Sequence, residues 1–250
     1  MPLLLLMSII YMKMSNLKFD FSSKKVLVVG GSRGIGKEVC KQFIRSGAEV
    51  YSVARTPCNI DNVSNFICDI SQESEIEKLF QEIKDIDFCI NSAGTNLCEI
   101  IENISEKEWD RVIDINLKSF YLICKNVVKI MKKKGEGRII NISSIAGRNK
   151  SLVSGVHYTA SKYGVIGLTK QLSKEVAKYN ILVNCICPSQ TKTEMLDSSM
   201  NASQLNILEK TIPIGRIATT KEQALPILFL CSEGASYITG STLDVNGGQL

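Results

Sequence analysis

Histidine is nearly absent from this 250-residue chain, in which His157 stands alone. A catalytic triad built on imidazole would rest on that one side chain. The nine cysteines include no C-x-x-C pair, which removes a Cys/His zinc module, and no metal site is expected. Their odd count and irregular spacing exclude a secreted disulfide framework. Most lie in apolar runs such as FICDI, DFCIN and NCICP, where a thiol acts as a small buried hydrophobe. That usage points to a reducing, cytoplasmic compartment. Five prolines and seventeen glycines are too few for a fibrous or linker-dominated chain. A formal charge of +5 is too small to argue for nucleic acid.

Long hydrophobic runs are missing too. The N-terminal run at residues 2–12, PLLLLMSIIYM, is about half the length of a membrane span. No basic residue precedes it and no small-residue cleavage site follows, so it is a poor signal peptide. Residues 1–23 are read as an N-terminal extension: a membrane-touching tail, a strand or tail packing on a partner, or, the favoured reading, residues translated from an over-early start, with Met7, Met12 and Met14 as alternative starts. The folded pattern begins near Lys24.

From Lys24 onward, short apolar strands alternate with amphipathic helices. Strands are expected at 25–30, 49–54, 66–68, 87–91, 138–143, 181–187 and 242–246. Apolar residues recur at helical spacing after the first strand, at Ile35, Val39, Cys40, Phe43 and Ile44, and that helix ends at Ser46-Gly47. Ser71 is expected to cap a second helix, and Ser105 with Glu108 a third that runs towards Lys134. A long helix is expected from His157 to Lys178 and a last one over 220–232, where Pro226 is a local conflict. Residues 189–212 read as a loop with one short helix. The whole predicts one α/β domain over residues 24–250. Its expected architecture is Rossmann-like and doubly wound, a parallel seven-stranded sheet with helices on both faces.

Gly30-Gly31-Ser32-Arg33-Gly34-Ile35-Gly36 joins the first strand to the first helix. Glycines there permit a tight turn and let backbone amides approach a pyrophosphate at the helix N-terminus. A dinucleotide's adenosine ribose is read at the end of the second strand. A carboxylate there suits the free 2′-OH of NAD, and an arginine suits the 2′-phosphate of NADP. Arg55 occupies that turn without a carboxylate, and Arg33 lies in the glycine turn. NADP(H) is the expected cofactor, with NAD(H) the alternative.

Ser144, Tyr158 and Lys162 form the sharpest chemical signal. Tyr158 and Lys162 are four apart on a predicted helix and share a face. A neighbouring ammonium is expected to lower the phenol's pKa from its usual value near 10. Tyr158 can then give a proton to a carbonyl oxygen that Ser144 holds by a hydrogen bond.

These segments resemble the short-chain dehydrogenase/reductase family, in its branch of about 250 residues. Tyr158-Thr159-Ala160-Ser161-Lys162 matches its active-site motif, and the glycine turn resembles its T-G-x-x-x-G-x-G with Val29 for the threonine. Asn91-Ser92-Ala93-Gly94 is similar to N-N-A-G, and the similarity covers about Lys24 to the end. The resemblance implies Asn116, Ser144, Tyr158 and Lys162 as catalytic residues. It implies Asp69, Ile70, Asn91, Ala93, Gly94, Tyr158, Lys162, Pro188, Thr191 and Thr193 at the cofactor, besides the glycine turn and Arg55. It implies reduction of a carbonyl to an alcohol (or the reverse), most like the 3-oxoacyl-carrier-protein reductases, on a small-molecule substrate that is free or carrier-bound. It also implies a homotetramer or dimer. A non-catalytic dinucleotide-binding regulator and an NAD-dependent alcohol or sugar dehydrogenase are the competing readings.

Ser92, and Ser189 in place of a glycine, also depart from the family pattern. Lys132, Lys133 and Lys134 form a basic run suited either to an acidic carrier or to a solvated helix end. His157 is read as a packing or surface residue, and the lone Trp109 as a helix anchor.

Overall fold

The computed structural model describes residues 18–151, 153–197 and 202–250. The alternative starts and the apolar run at 2–12 lie outside the described residues. The strands are β1 (Lys25–Val29), β2 (Glu49–Ala54), β3 (Val63–Ile67), β4 (Phe88–Asn91), β5 (Gly137–Ile142), β6 (Ile181–Pro188) and β7 (Thr242–Val245). They form a single sheet in the order β3-β2-β1-β4-β5-β6-β7, with every neighbouring pair parallel. The central strands are buried on both faces, which explains their near-continuous apolar runs. β3 begins three residues before its expected start, at an exposed polar edge whose weak pattern hid it.

The helices are α1 (Gly34–Arg45), α2 (Glu73–Glu82), α3 (Glu106–Ile113), α4 (Ser119–Lys134), α5 (Val156–Val176), α6 (Glu194–Asp197), α7 (Ala202–Lys210) and α8 (Thr220–Cys231). α1 and α8 cover one face through Val39, Phe43, Ile227 and Leu228. α2, α4 and the end of α5 cover the other through Ile76, Leu79, Ile123, Val127 and Val176. Each such aliphatic or aromatic side chain contributes roughly 1.5–3 kcal/mol by leaving water. No described helix is long and apolar enough to cross a membrane.

Several local expectations change. Packed structure begins before Lys24, because Phe21 is buried against Phe43 and Phe88 at ring-centroid distances of 5.2 and 5.4 Å. Ser71 does not cap α2. Its N–H and hydroxyl both donate to Asp69 Oδ1, and Gln72 takes the cap position without a side-chain bond. Only half of the expected capping box forms at Ser105, which accepts from Glu108 N, while the Glu108 carboxylate pairs with Arg111. A complete box stands instead at Thr219 and Glu222. It starts α8 at Thr220, with Pro226 tolerated inside the helix. The stretch from Ser105 to Lys134 is helical as expected, with one interruption of the α pattern. A π turn at Asp114–Lys118 separates α3 from α4. The loop after β6 holds two short helices, α6 and α7, rather than one.

The basic run at the end of α4 is largely occupied. Lys134 bridges Asp85 at 2.9 Å and buried Asp87 at 2.6 Å, and Lys132 lies over the Tyr179 ring at 4.4 Å. All nine cysteines are free, eight of them buried and Cys98 exposed. Trp109 is 40% exposed and anchors no core.

Candidate active site

The C-terminal ends of the central strands stop in register, with Val29 opposite both Val53 and Asn91 and Asn91 opposite Asn141. Strand order reverses between β1 and β4, and ligands of open α/β sheets bind in the crevice beyond such a switch point. A cleft of about 620 Å³ opens there.

The glycine turn forms one end of it. Gly30 has φ of +85°, and a β-carbon there would lie 2.6 Å from the Ala93 nitrogen. A β-carbon at Gly36 would fall inside van der Waals contact with the Gly30 carbonyl oxygen, so α1 could not close on β1. α1 starts after extended Arg33, with no side-chain cap and no acidic residue in its first turn. Its first-turn N–H groups and positive dipole end are thus left for an anion. Ser32, Arg33, Gly34 and Ile35 line the cleft, as do Arg55, Asp69 and Ile70 at the ends of β2 and β3. This cradle of backbone N–H groups, with two arginines beside it, fits the phosphates of a dinucleotide.

Two strand spacings from β1, or about 10 Å, lie the residues of chemical interest. Ser144 follows β5, and its hydroxyl accepts from Ala146 N at 3.1 Å. α5 presents Tyr158 and Lys162 to the same cleft. Lys162 is 3% exposed. Its Nζ donates to the Ile142 carbonyl oxygen at 2.9 Å and stands 5.6 Å from the ring centroids of Tyr158 and Phe120. Burial pushes its pKa down to about 8. Burial also raises the Tyr158 phenol above its usual value, with a Ser144 hydrogen bond pulling the other way. The expected lowering of that phenol by Lys162 is therefore corrected. The ammonium is engaged by a backbone carbonyl, and desolvation is the largest influence on the phenol.

Asn116 lies in the π turn and is fully buried. Its Oδ1 accepts from Thr95 N at 2.8 Å, and its Nδ2 donates to Thr95 O at 2.9 Å and to Ser161 Oγ at 3.2 Å. A β-carbon at Gly94 would sit 3.7 Å from Asn116 Oδ1 and 3.8 Å from Lys162 Nζ, which puts both groups around one point.

Ala93, Gly94, Pro188, Thr191 and Thr193 line the cleft as well. Asn91, Gly36 and Asn116 do not line it. Asn91 sits in the sheet, where its Nδ2 donates to Asn141 Oδ1 at 2.8 Å and Asn141 donates on to Thr169. Ser189 is absent from the residues with positive φ, so a glycine is not required there. His157 is fully buried, with neither ring nitrogen partnered. No group of three or more potential metal ligands occurs among the described residues. Periodicity did not reveal Asn96, Ser151, Ser154 and Gln190, which line the cleft from loops.

The sheet order, the glycine cradle and the Ser-Tyr-Lys cleft define a nicotinamide-dependent oxidoreductase of CH–OH and C=O groups. A family model described as Enoyl-(Acyl carrier protein) reductase matches residues 29–249. A 3-oxoacyl-[acyl-carrier-protein] reductase FabG of Chlamydia trachomatis is 39% identical over 243 residues, covering 91% of this chain and 97% of the relative. A variant of actinorhodin polyketide ketoreductase with NADPH superposes with a TM-score of 0.85 at 28% identity, covering 91% of this chain and 97% of that one. A short-chain dehydrogenase of Leptospira borgpetersenii with bound NAD+ superposes with a TM-score of 0.87 at 27% identity, covering 92% and 94%. The chain belongs to the short-chain dehydrogenase/reductase family.

Proposed function

We propose that this protein is an NADPH-dependent reductase of 3-oxoacyl thioesters, acting in the cytoplasm as a homo-oligomer on free or carrier-bound substrate. One observation carries the reading: Ser144, Tyr158 and Lys162 meet in the cleft that begins at the glycine cradle. The relative at 39% identity supports the substrate class. The arginines at 33 and 55 support the 2′-phosphate. The catalytic unit is residues 24–250 together with the packed segment around Phe21 that precedes them.

The bound cofactor would supply hydride to the carbonyl carbon. Ser144 holds the carbonyl oxygen and Tyr158 donates the proton to it. A phenol raised above its usual value stays protonated at neutral pH, which suits reduction. Lys162 anchors the cofactor's ribose and supplies positive charge near the phenol. Asn116, behind Lys162, completes the path by which Tyr158 regains a proton.

Loss of NADPH absorbance with a β-ketoacyl thioester tests the assignment. Tyr158→Phe is expected to lower kcat by at least about a thousandfold while NADPH binding persists. Retained turnover in that variant would overturn the mechanism. Tight NADPH binding without turnover of any carbonyl by the unaltered enzyme would favour a non-catalytic regulator.

A further inference from the structure

Tyr158 is the third residue of α5, and no cap pins that turn. α5 starts after Gly155, with no side-chain cap bond and no acidic residue in its first turn. A helix start of this kind leaves backbone groups unpaired and frays. Two buried serine hydroxyls reach the backbone of the reacting residues themselves. Ser161 is fully buried, and its Oγ donates to Tyr158 O at 2.7 Å and accepts from Asn116 Nδ2 at 3.2 Å. Back-bonding by a hydroxyl does not strengthen a helix, and alanine is the better helix former. The bond is explained instead by what it joins, the Asn116 side chain of the π turn and the backbone of Tyr158. Ser143 extends β5, its N–H donating to Ile186 O at 2.9 Å. Its buried Oγ donates to Lys162 O at 2.8 Å, while Lys162 Nζ donates back to Ile142 O at 2.9 Å. The turn that carries Ser144 closes on that bond. A β-carbon at Gly147 would lie 2.5 Å from Ser143 Oγ and 2.7 Å from Lys162 O, so glycine alone fits there.

We propose that Ser143 and Ser161 are positioning residues for the reaction: through backbone carbonyls they register Lys162 against the Ser144 turn and Tyr158 against Asn116. Each acts through the residue whose carbonyl it holds. Proton transfer depends steeply on geometry, and a misplacement of about 1 Å costs about a hundredfold in rate. The inference rests on the Ser144, Tyr158 and Lys162 reading of the site. On that reading Lys162 also anchors the cofactor's ribose, so the two serines differ in what their loss affects. Ser161 bears on the proton donor alone. Ser143 bears on the proton donor's neighbour and on the cofactor.

The test measures kcat and KM on the fastest-reduced member of a panel of ketones and β-ketoacyl thioesters, and the Kd for NADPH by fluorescence titration. Ser161→Ala is expected to lower kcat by about fivefold to a hundredfold, with the Kd for NADPH unchanged. Ser143→Ala is expected to lower kcat by a similar factor and also to raise that Kd severalfold. Ser173→Ala is the control. The Ser173 hydroxyl makes the same kind of buried bond in α5, to Lys170 O at 2.8 Å, and touches neither reacting residue. That variant is expected to keep both kcat and Kd. Ser143→Cys and Ser161→Cys, whose thiols donate weakly, are expected to follow the alanine variants, and they carry the test where one of those does not fold. Unaltered kcat in the folded Ser143 and Ser161 variants would overturn the inference and leave the reductase reading standing. So would an equal loss of kcat in Ser173→Ala, or the same rise in Kd for the Ser161 variants as for the Ser143 variants. No turnover of any carbonyl by the unaltered enzyme, with NADPH or NADH, would defeat the reductase reading and this inference together.

Discussion

Lys162 gives a stability signature that the fold alone would not. In the unfolded chain its ammonium keeps its proton up to the ordinary lysine value of 10.5, and in the folded cleft burial brings that down to about 8. Between those values the unfolded state binds the proton and the folded state does not. Stability therefore rises with pH across that window and is at its lowest from this group below it. At about 1.36 kcal/mol per unit, the buried charge costs the cofactor-free fold roughly 3 kcal/mol at neutral pH. About 2 kcal/mol of that is recovered between about pH 7 and about pH 9.5. Lys162→Met removes the charge and keeps much of the volume. Urea unfolding followed by circular dichroism, on both proteins at the two pH values, isolates the term, because other titrating groups, the buried thiols included, cancel in the difference. The variant is expected to be the more stable protein at neutral pH. Its advantage is reduced by the hydrogen bond lost at Ile142 O and shrinks by about 2 kcal/mol on going to the higher pH. Parallel pH profiles for the two proteins would refute the reasoning, because they would mean that Lys162 folds without desolvation.

Arg55→Asp is expected to move the kcat/KM ratio from NADPH towards NADH by about tenfold to a hundredfold, the worth of one or two charged hydrogen bonds. Equal losses on both cofactors would show that Arg55 does not read the 2′-phosphate. Gly36→Ala places a methyl against the Gly30 carbonyl and should cost about 1–3 kcal/mol of stability as overpacking, with weaker cofactor binding by fluorescence titration. Unchanged melting and binding would mean that the α1–β1 approach is looser than described. A colorimetric thiol reagent should find one fast-reacting cysteine in the native protein, Cys98, and nine after denaturation. Several fast thiols at the outset would contradict the burial of the other eight.

The features read correctly from the chain are those written in local chemistry. β1, β4 and β6 are apolar on both faces because both faces are covered, so they stood out as runs. The spacing of Tyr158 and Lys162 needed only a helix to bring both to one cleft. What was missed depends on long-range packing. The π turn at Asn116 has no composition of its own, and it is held by Thr95 and Ser161, 21 and 45 residues away. Asn91, which the N-N-A-G resemblance implied at the cofactor, has its side-chain amide paired with Asn141 on the neighbouring strand, a contact between strands that a local motif does not show. Ser71 looked like a cap until Asp69, two residues back, took its hydroxyl. The sign of the Tyr158 shift was misjudged because helical spacing says nothing about desolvation. Nor does it say which carbonyl engages the ammonium.

Asn116 also shows why the reacting centre and the loop after β4 cannot vary freely of one another. A π turn packs an extra residue into the helix and weakens the local ladder, a cost that persists only where other bonds replace it. Here the Asn116 side chain replaces it by pairing with both backbone groups of Thr95. Thr95 lies between Gly94, which stands against Lys162 and Asn116, and Asn96, whose oxygen has no partner. One buried amide thus fixes the approach to Lys162 on one side and the backbone that leads to Asn96 on the other. A side chain larger than asparagine at 116 would displace both, and a smaller one would leave the Thr95 backbone unpaired in a buried setting, at about 1–3 kcal/mol for each group. Position 116 is therefore held constant by the fold itself, whatever varies in the loops that line the cleft.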